Sequence, residues 1–437
     1  MSLSAETAVP TRPKLHYGWR VLAVTMTLSY FATVMSQFFT GAMLPHIEEG
    51  TGWNRSSITL AVTIGTVTGG FLSPTFGRLA DRYGPRVISS AGVFVAAVAM
   101  IAVGLSGSAH IAVFYVAYLC GRTATQNTLG GVTSQTTMVN WFKRMRGRAI
   151  GLSSMAVPLG GATLVPLSQL AIESGVSWEA VYFFFAGVLL LVLFPLAALV
   201  LRRRPEDLDL LPDGDSAAPP GPAAGALPRA DVHWTLREAM RTRTLWLMIG
   251  SMAAAACANS AISFHLLAYF KDEGIGVTSA ALALSLYALS GAIASGLWGF
   301  LIERIPERLI GALTMLSASL LCLFLLTVST PVAAFGFGAL FGLAARGEGA
   351  ILITMVAQYS GRESFGAIQG FTAPFQLIAL GIGPTLAAVL YDAFDQSYDV
   401  AFLTASVIFA VSSVFLWLAR KPALPSAVSD QPSAISD

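Results

Sequence analysis

Three ionisable side chains lie deep inside long apolar stretches of this 437-residue sequence: Arg122, Arg346 and Glu348. In hydrocarbon, such a charge costs from ~3 to more than ~10 kcal/mol unless it faces water, a counter-charge or a ligand. Of the 24 acids only Glu348 lies deep in such a stretch, so buried carboxylates cannot neutralise both arginines. The uncompensated charge predicts a pocket for an anion, because a guanidinium can bind a carboxylate through two parallel hydrogen bonds.

Each of these charges has a second interpretation. Either arginine could instead bond helix-end carbonyls or hydroxyls and only brace the surrounding helices. Glu348 is two residues from Arg346, about 200° around a helix, so the two side chains do not share a face. Its carboxyl could take up and release a proton near neutral pH, or it could stay protonated or bond a neighbouring helix. His265 is a second candidate for proton coupling, or an interfacial side chain, since Lys271 follows closely.

Other polar side chains within the apolar stretches are candidate ligand contacts. Gln126 lies four residues after Arg122 and shares its helix face. Each such residue alone is more often a hydrogen bond between helices than a ligand contact. Besides the two arginines, the predicted substrate contacts are Gln126, Asn127, Tyr30, Gln37, Asn259, Tyr287 and Gln376.

Composition and the length of the apolar stretches predict an all-α integral membrane protein. Hydrophobic residues make up 55% and charged residues 11% of the chain, whereas soluble domains are roughly half apolar and one-quarter charged. A helix of about 20 apolar residues crosses ~30 Å of hydrocarbon. We predict twelve such spans, at 17–43, 56–77, 87–107, 110–139, 148–172, 178–201, 244–270, 278–302, 308–329, 331–359, 364–391 and 397–419.

The spans divide into two related halves. We predict six helices each in 15–201 and 244–420, a central loop at 202–243 with a short helix near 234–242, and tails at 1–14 and 421–437. Sequence patterns recur about half a chain apart: RGRAIG is followed later by FGAIQG, and Arg122 corresponds to Arg346. Weak repeats of this length are typical of carriers built from duplicated halves.

The positions of lysine and arginine predict the orientation. On the side of both termini lie 22 of the 26 basic residues, whereas the opposite side holds Arg55 and Lys271. Basic residues collect on the cytoplasmic side of membrane proteins. We therefore expect a multi-pass protein of the cell (inner) membrane with both termini in the cytoplasm.

A charged stretch, GRLADRYGPR, lies between the second and third spans at Gly77–Arg86. It resembles the loop signature of the major facilitator superfamily, and a degenerate second copy follows 222 residues later at Gly299–Arg308. The resemblance implies a cytoplasmic latch that stabilises one conformation of a carrier. The latch residues would be Gly77, Asp81, Arg82, Gly84 and Arg86, with Glu303 and Arg304 from the second copy.

Further motifs resemble the monocarboxylate porter group and its oxalate:formate antiporter relatives: HYGW at His16, NWF at Asn140, RRRPEDL at Arg202 and MRTRTLWLM at Met240. This resemblance implies a cavity lined mainly by helices 1, 4, 7 and 10, alternating access, and small organic anions as substrates. An arginine in the fourth helix is widespread in the superfamily, which favours a bracing role for Arg122. Two cations are missing: Ser295 stands where members of the group often carry an arginine on helix 8, and Thr372 where the oxalate:formate type carries a lysine on helix 11.

Other classes of protein are excluded by what the sequence lacks. It has no Walker A loop, no His-Glu-x-x-His and no Gly-x-Ser-x-Gly, so we predict no enzyme activity and no cofactor. Three cysteines at unrelated spacings predict no metal site, and a net charge of +2 argues against nucleic acid as a partner. We expect a gradient-driven, proton-coupled carrier of small organic anions, monomeric among membrane lipids. The alternatives are a drug or xenobiotic efflux carrier and an organic-anion exchanger.

Overall fold

Residues 16–214 and 234–422 are described by the computed structural model. The predicted tails at 1–14 and 421–437 therefore fall almost wholly outside the described residues, as does 215–233 of the predicted central loop. The side chain of Gln37 also lies outside the described part of the chain, although its backbone is helical.

The N-terminal half folds into eight α-helices. Several begin at hydroxyl side chains, because a serine oxygen accepts a hydrogen bond from a free N–H of the first turn; Ser36 does so for α2 and Ser177 for α7. The helices are α1 Tyr17–Phe31, α2 Gln37–Thr51, α3 Arg55–Leu105, α4 Ile111–Ala124, α5 Val132–Trp141, α6 Arg146–Glu173, α7 Trp178–Val188 and α8 Phe194–Val200.

The C-terminal half follows with α9 Leu236–Ala239, α10 Arg243–Asp272, α11 Val277–Leu301, α12 Glu307–Leu325, α13 Pro331–Ala345, α14 Glu348–Ser360, α15 Phe365–Ala393 and α16 Asp399–Leu418. The short helix expected near 234–242 is thus present as the four residues of α9. The backbone N–H and hydroxyl of Thr235 donate to the Glu238 carboxylate at its start, which holds the pKa of that carboxyl below its usual value.

The described helices make twelve membrane crossings. Ten segments are long and apolar enough to cross a membrane. One of them, Ser57–Leu105, has 49 residues; at 1.5 Å per residue it is ~74 Å long, so it crosses the ~30 Å hydrocarbon layer twice. The broken segment formed by α4 and α5 is the remaining crossing. The predicted fold class, twelve helices in two six-helix halves, is confirmed.

The connection between the second and third spans differs from our expectation of a short loop. α3 stays helical through Asp81 and turns at one residue, Gly84, whose φ is +79°. Glycine adopts a positive φ without a steric penalty, and Pro85 suits the first position of the next helix. The charged signature is therefore a tight elbow between two helices, which gives Asp81 a defined direction.

The fourth and tenth spans are both interrupted near their middle, and neither break was expected. α4 passes into a wider π turn at Thr125–Leu129 before α5 begins. α13 and α14 are separated by Arg346 and Gly347. Interrupted helices near the midplane free backbone groups and are typical of binding sites in carriers.

The two halves meet through α3 with α15 and through α6 with α11. Glycines allow the close approach: a Cβ on Gly370 would lie 2.6 Å from the Ser73 carbonyl oxygen, and one on Gly151 would lie 2.5 Å from that of Ser295. These contacts lie towards the membrane face that carries Asp81, Arg148, Glu303 and Arg362, which we call the latch face. The halves are therefore joined at the latch face.

Candidate substrate, coupling and latch sites

Arg346 lies in the break between α13 and α14, where its side chain is exposed. Its guanidinium carbon lies 5.1 Å from the ring centroid of Tyr287 on α11. Its aliphatic stem packs over Gly291 of the same helix, where a Cβ would come within 2.6 Å of the Arg346 Cγ. The glycine gives the stem room and the ring supports the charge, so the guanidinium is presented as an available donor.

Tyr287 is itself held by a third helix. Its hydroxyl donates a 2.7 Å hydrogen bond to Asn259 Oδ1 on α10. Three predicted contacts, Arg346, Tyr287 and Asn259, are therefore brought together from three helices. A cation, an aromatic face and an amide in one group can hold a carboxylate together with an attached apolar or aromatic body.

Glu348 begins α14 and is only 7% exposed. Its Oε1 atom is buried and has no hydrogen-bond partner among the described residues. The neighbouring Gly347 lies against the indole of Trp298, whose Nε1–H donates to the Leu343 carbonyl at 2.7 Å. Arg346 is exposed and Glu348 is buried, which agrees with the expectation that they face different ways.

Arg122 occupies the corresponding place in the N-terminal half. Its Nε–H donates to Thr66 Oγ1 at 3.2 Å, and its stem packs against Gly65, as the stem of Arg346 packs against Gly291. The duplicated halves thus repeat one arginine-on-glycine contact. One donor of Arg122 is committed to α3, which matches the bracing interpretation more closely than does Arg346.

Gln126 and Asn127 differ in what they bond. Asn127 is 1% exposed, and its Nδ2 donates to the carbonyls of Gly69 and Thr123 at 2.9 and 3.0 Å. The structure therefore places Asn127 as a tie between α3 and the π turn. Gln126 lies beside Gly69 and its buried Oε1 has no partner among the described residues.

A cavity of about 230 Å³ lies between the halves on the latch side of Arg346. Met248 and Met252 of α10 and Ile353 of α14 form apolar parts of its wall. The amides that line it are Gln135 of α5 and Gln369 and Gln376 of α15. The expected contacts included Gln376 but missed Gln135, although it carries the same signal, a polar side chain within an apolar span.

Tyr30 and His265 are both engaged by neighbouring helices. The hydroxyls of Tyr30 and Thr163 lie 2.5 Å apart, which ties α1 to α6. His265 Nε2 lies 3.0 Å from the Pro384 carbonyl oxygen, and Nδ1 lies 3.2 Å from the Tyr398 hydroxyl. A carbonyl can only accept, so the neutral ring carries its proton on Nε2 and Nδ1 accepts from Tyr398, an assignment from the bonding pattern.

The latch acids make equivalent contacts in the two halves. The Asp81 carboxylate accepts the N–H groups of Gly366 and Ala367 at 3.0 and 2.9 Å, at the start of α15. Glu303 accepts the N–H of Arg148 at 3.1 Å, near the start of α6, and its Oε2 lies 2.6 Å from Arg148 Nε. Each acid thus reaches across to the N-terminus of a helix in the other half, where partial positive charge favours a carboxylate.

The other predicted latch residues have different surroundings. Gly77 lies against the backbone of Gly366 so closely that a Cβ would clash with its carbonyl. Arg82 is exposed beside Tyr83, with its guanidinium carbon 5.3 Å from the ring centroid. Arg86 and Arg304 are exposed at the same face. Of the predicted latch residues, Gly77, Asp81 and Glu303 make contacts between the halves, whereas Arg82, Arg86 and Arg304 lie exposed at the same face.

Comparison with known proteins agrees with this architecture. The family model described as the Major Facilitator Superfamily matches residues 26–345 and 266–436. The Monocarboxylate transporter 3 of Rattus norvegicus is 26% identical over 92% of this chain and 79% of its own length. The Glycerol-3-phosphate transporter of Bacillus subtilis is 26% identical, but the match spans only 39% of this chain and 38% of that relative.

The fold is also that of a solved transporter. The crystal structure of FucP in the outward conformation has a TM-score of 0.73, with 15% identity, and the match covers 93% of this chain and all of FucP. The match to Monocarboxylate transporter 3 agrees with the group-level resemblance in the sequence. The chain belongs to the Major Facilitator Superfamily and is a multi-pass membrane transporter rather than an enzyme.

Proposed function

We propose that the chain is a proton-coupled carrier of small organic anions of the monocarboxylate type, working by alternating access. The observation that carries the proposal is Arg346, a guanidinium exposed at a helix break and supported by Tyr287. Its positive charge, with no acid partner among the described residues, favours an anionic ligand. Arg122, with one donor bonded to Thr66, is proposed as an auxiliary contact or brace.

The surroundings of Arg346 favour one carboxylate with an apolar body. The side chains of Met248, Met252 and Ile353 line the cavity on the latch side. Position 372, where the resemblance to the oxalate:formate type would place a lysine, is a buried threonine whose hydroxyl donates to the Gln369 carbonyl at 2.7 Å. One available cation and a partly apolar wall suit a monocarboxylate better than a dicarboxylate, because a second carboxylate would be buried with only amides, and no second cation, as partners.

Glu348 is proposed as the proton carrier. It is the buried acid of the segment that follows Arg346, and one of its oxygens has no hydrogen-bond partner among the described residues. Because Arg346 and Glu348 flank a single break, movement of α13 relative to α14 would change the surroundings of both. This arrangement gives a direct way to couple proton movement to anion binding. His265, whose two ring nitrogens are both bonded, is the second candidate.

The relatives and the orientation support the rest of the proposal. Monocarboxylate transporter 3 has the substrate class that the site suggests. We propose that the latch face is cytoplasmic, because the basic residues collect there, and that the protein resides in the cell (inner) membrane with both termini inside. We propose that it acts as a monomer.

Transport by purified protein in proteoliposomes containing a pH-sensitive dye tests the proposal. Monocarboxylates, dicarboxylates and aromatic acids are added outside in turn. We expect monocarboxylates to drive proton influx, and Arg346→Ala to raise the half-saturating concentration about 10- to 100-fold, since hydrogen bonds to charged groups contribute ~1.5–3 kcal/mol. Arg346→Lys should raise the half-saturating concentration less, because lysine keeps the positive charge. It should still raise it, because lysine lacks the planar guanidinium that forms two parallel hydrogen bonds.

Three results would contradict this assignment. Unchanged transport by Arg346→Ala would remove Arg346 from the site. Anion movement without proton influx, only when another anion is inside, would identify the exchanger alternative. No proton influx with any acid, together with export of amphipathic drugs by folded protein, would identify an efflux carrier. The methionines of the cavity wall are the observation that favours this alternative.

A further inference from the structure

The first part of the central loop, residues 201–213, lies along the latch face. It leaves α8 at Leu201, which is 1% exposed, and forms two short 3₁₀ turns at Pro205–Leu208 and Pro212–Gly214. Asp209 and Asp213 both have positive φ values, +54° and +62°. We call residues 201–213 the linker segment.

One end of the linker segment binds the connection that leads into α6. Asp213 is 8% exposed. Its Oδ2 accepts the N–H groups of Lys143 and Arg144 at 3.1 and 2.6 Å, and its Oδ1 accepts that of Met145 at 3.1 Å. A carboxylate that accepts three backbone N–H groups is a strong, directional attachment. It fixes the residues directly before α6, the helix that carries Arg148.

The other end binds the elbow of α3. Arg203 Nη2 donates to the Asp81 carbonyl oxygen at 2.6 Å, and the stem of Arg203 covers Gly84. The carboxylate of the same Asp81 reaches across to α15. The linker segment is therefore attached to both N-terminal elements that make latch contacts, the elbow through Arg203 and the start of α6 through Asp213.

A third contact reaches the C-terminal half. Glu206 Oε1 lies 3.2 Å from Arg362 Nη1, which also donates to the Asn140 carbonyl at 3.3 Å. Glu206 is 46% exposed in its side chain, so this ion pair is the weakest of the attachments. The linker segment is thus bound firmly to one half and only lightly to the other.

We propose that the linker segment is a positioning element that joins the two latch contacts, so that they form and break together, with Asp213 as its anchor. Without it, the elbow of α3 and the start of α6 could each move without the other. When the linker segment joins them, Asp81 and Arg148 keep fixed positions relative to each other and contact the C-terminal half together. The inference rests on the transporter fold and holds for any substrate.

The test compares two aspartates of the linker segment, each changed to asparagine. Asp213→Asn keeps one acceptor oxygen but places an NH₂ donor where the other carboxylate oxygen accepts a backbone N–H, and it removes the negative charge. Asp209→Asn makes the same change in an exposed side chain. Asparagine tolerates a positive φ as aspartate does, so the backbone preference is the same in both variants. The difference between them isolates the carboxylate contacts of Asp213.

The readout is access to the gap between the halves from the latch face. Ser73, 4% exposed beside Gly370, is replaced by cysteine in protein whose Cys120, Cys257 and Cys322 are changed to serine. An impermeant maleimide is applied to each face of sealed vesicles without substrate. We expect Asp213→Asn to raise the labelling rate from the latch face at least about 5-fold, equivalent to ~1 kcal/mol, and Asp209→Asn to leave it unchanged.

If the linker segment only held the N-terminal half together, Asp213→Asn would change labelling and thermal stability in a different way. Loss of folding would raise labelling from both faces and lower the melting temperature of the purified protein, and that outcome would overturn the proposal. So would equal labelling of the two asparagine variants. Arg203→Met, which keeps the stem over Gly84, should act in the same direction as Asp213→Asn. The rise in free energy that the labelling rate reports should then be smaller in the double variant than the sum of the rises in the two single variants. Additive effects would show that the two latch contacts are independent.

Because no substrate is present, this experiment can fail while the anion-carrier proposal stands. Likewise, unchanged transport by Arg346→Ala would contradict the anion-carrier proposal while the linker segment still behaves as proposed. The two outcomes are therefore distinguishable.

Discussion

At the scale of single residues, the deep charges differ in how much of their chemistry the surrounding protein uses. Arg122 has one donor on Thr66, and Asn127 has its Nδ2 on two backbone carbonyls. Arg346 rests on an aromatic ring, and Glu348 keeps a buried oxygen without a partner among the described residues. Side chains whose donors or acceptors remain available are the better candidates for a ligand or a proton.

Replacing Glu348 by glutamine tests its proton role at this scale. Glutamine keeps the size of the side chain but cannot carry a proton, so we expect Glu348→Gln to lose concentrative uptake driven by a pH gradient. Exchange of labelled for unlabelled substrate, which needs no net proton movement, should persist. Counterflow and pH-driven uptake in the same proteoliposomes measure both.

The matched control is Glu273→Gln, the same change at an exposed acid after α10. Both activities should be retained in it. A Glu348→Gln protein that still concentrates substrate along a pH gradient would remove Glu348 from the coupling mechanism.

At the scale of elements, glycines set the distance between helices of the two halves. Gly370 and Gly381 both lie within α15, but only Gly370 meets a neighbour: a Cβ there would lie 2.6 Å from the Ser73 carbonyl oxygen, and one on Gly381 would meet nothing within 4 Å. Real Cβ atoms do not approach a carbonyl oxygen this closely, so the helices would have to separate. The close contact of α3 with α15 at this point therefore depends on the absence of a methyl group at position 370.

Gly370→Ala and Gly381→Ala form a pair that tests this dependence. Both gain the helix propensity of alanine, ~1 kcal/mol in water-soluble helices, so their difference reports the contact with Ser73. We expect Gly370→Ala to open the latch face and Gly381→Ala to leave it closed. Maleimide labelling of a cysteine at position 367, where the N–H binds Asp81, measures the change; equal labelling rates would contradict it.

At the scale of the whole molecule, the duplication of the sequence reappears as a duplication of contacts. Asp81 and Glu303 are 222 positions apart, and each accepts N–H groups at the start of a helix in the opposite half. Gly65 supports the stem of Arg122 as Gly291 supports that of Arg346. Two-fold equivalence places the latch contacts symmetrically around one pathway, so each acid should stabilise the same closed face.

Asp81→Asn and Glu303→Gln should therefore have effects of the same sign. Each loses charge-assisted hydrogen bonds of ~1.5–3 kcal/mol per bond at most, and the closed state should lose population in both. Glu303 also loses its ion pair with Arg148. Labelling of Ser73→Cys from the latch face measures the population; a variant pair that shifts it in opposite directions would contradict the symmetric role.

The sequence alone determined the number and order of the spans and the deep charges, and it marked Asp81 and Glu303 as candidate residues for a latch. These features depend on local hydrophobicity, segment length and short motifs, which neighbouring residues define by themselves. The duplication was also readable, since it is a repeat in the chain. From it the correspondence of Arg122 with Arg346 could be predicted before any contact was known.

Only the tertiary structure decided which of these residues meet. Tyr287 supports Arg346 from another helix, and Asp213 binds the N–H groups of residues about 70 positions earlier. Arg203 packs over Gly84 and donates to the Asp81 carbonyl from more than a hundred residues away. The break beside Arg346 likewise lies in a segment, Pro331–Ser360, that is as apolar as the unbroken Arg243–Asp272. Such features arise from contacts between residues far apart in the chain, and no local property of the sequence specifies them.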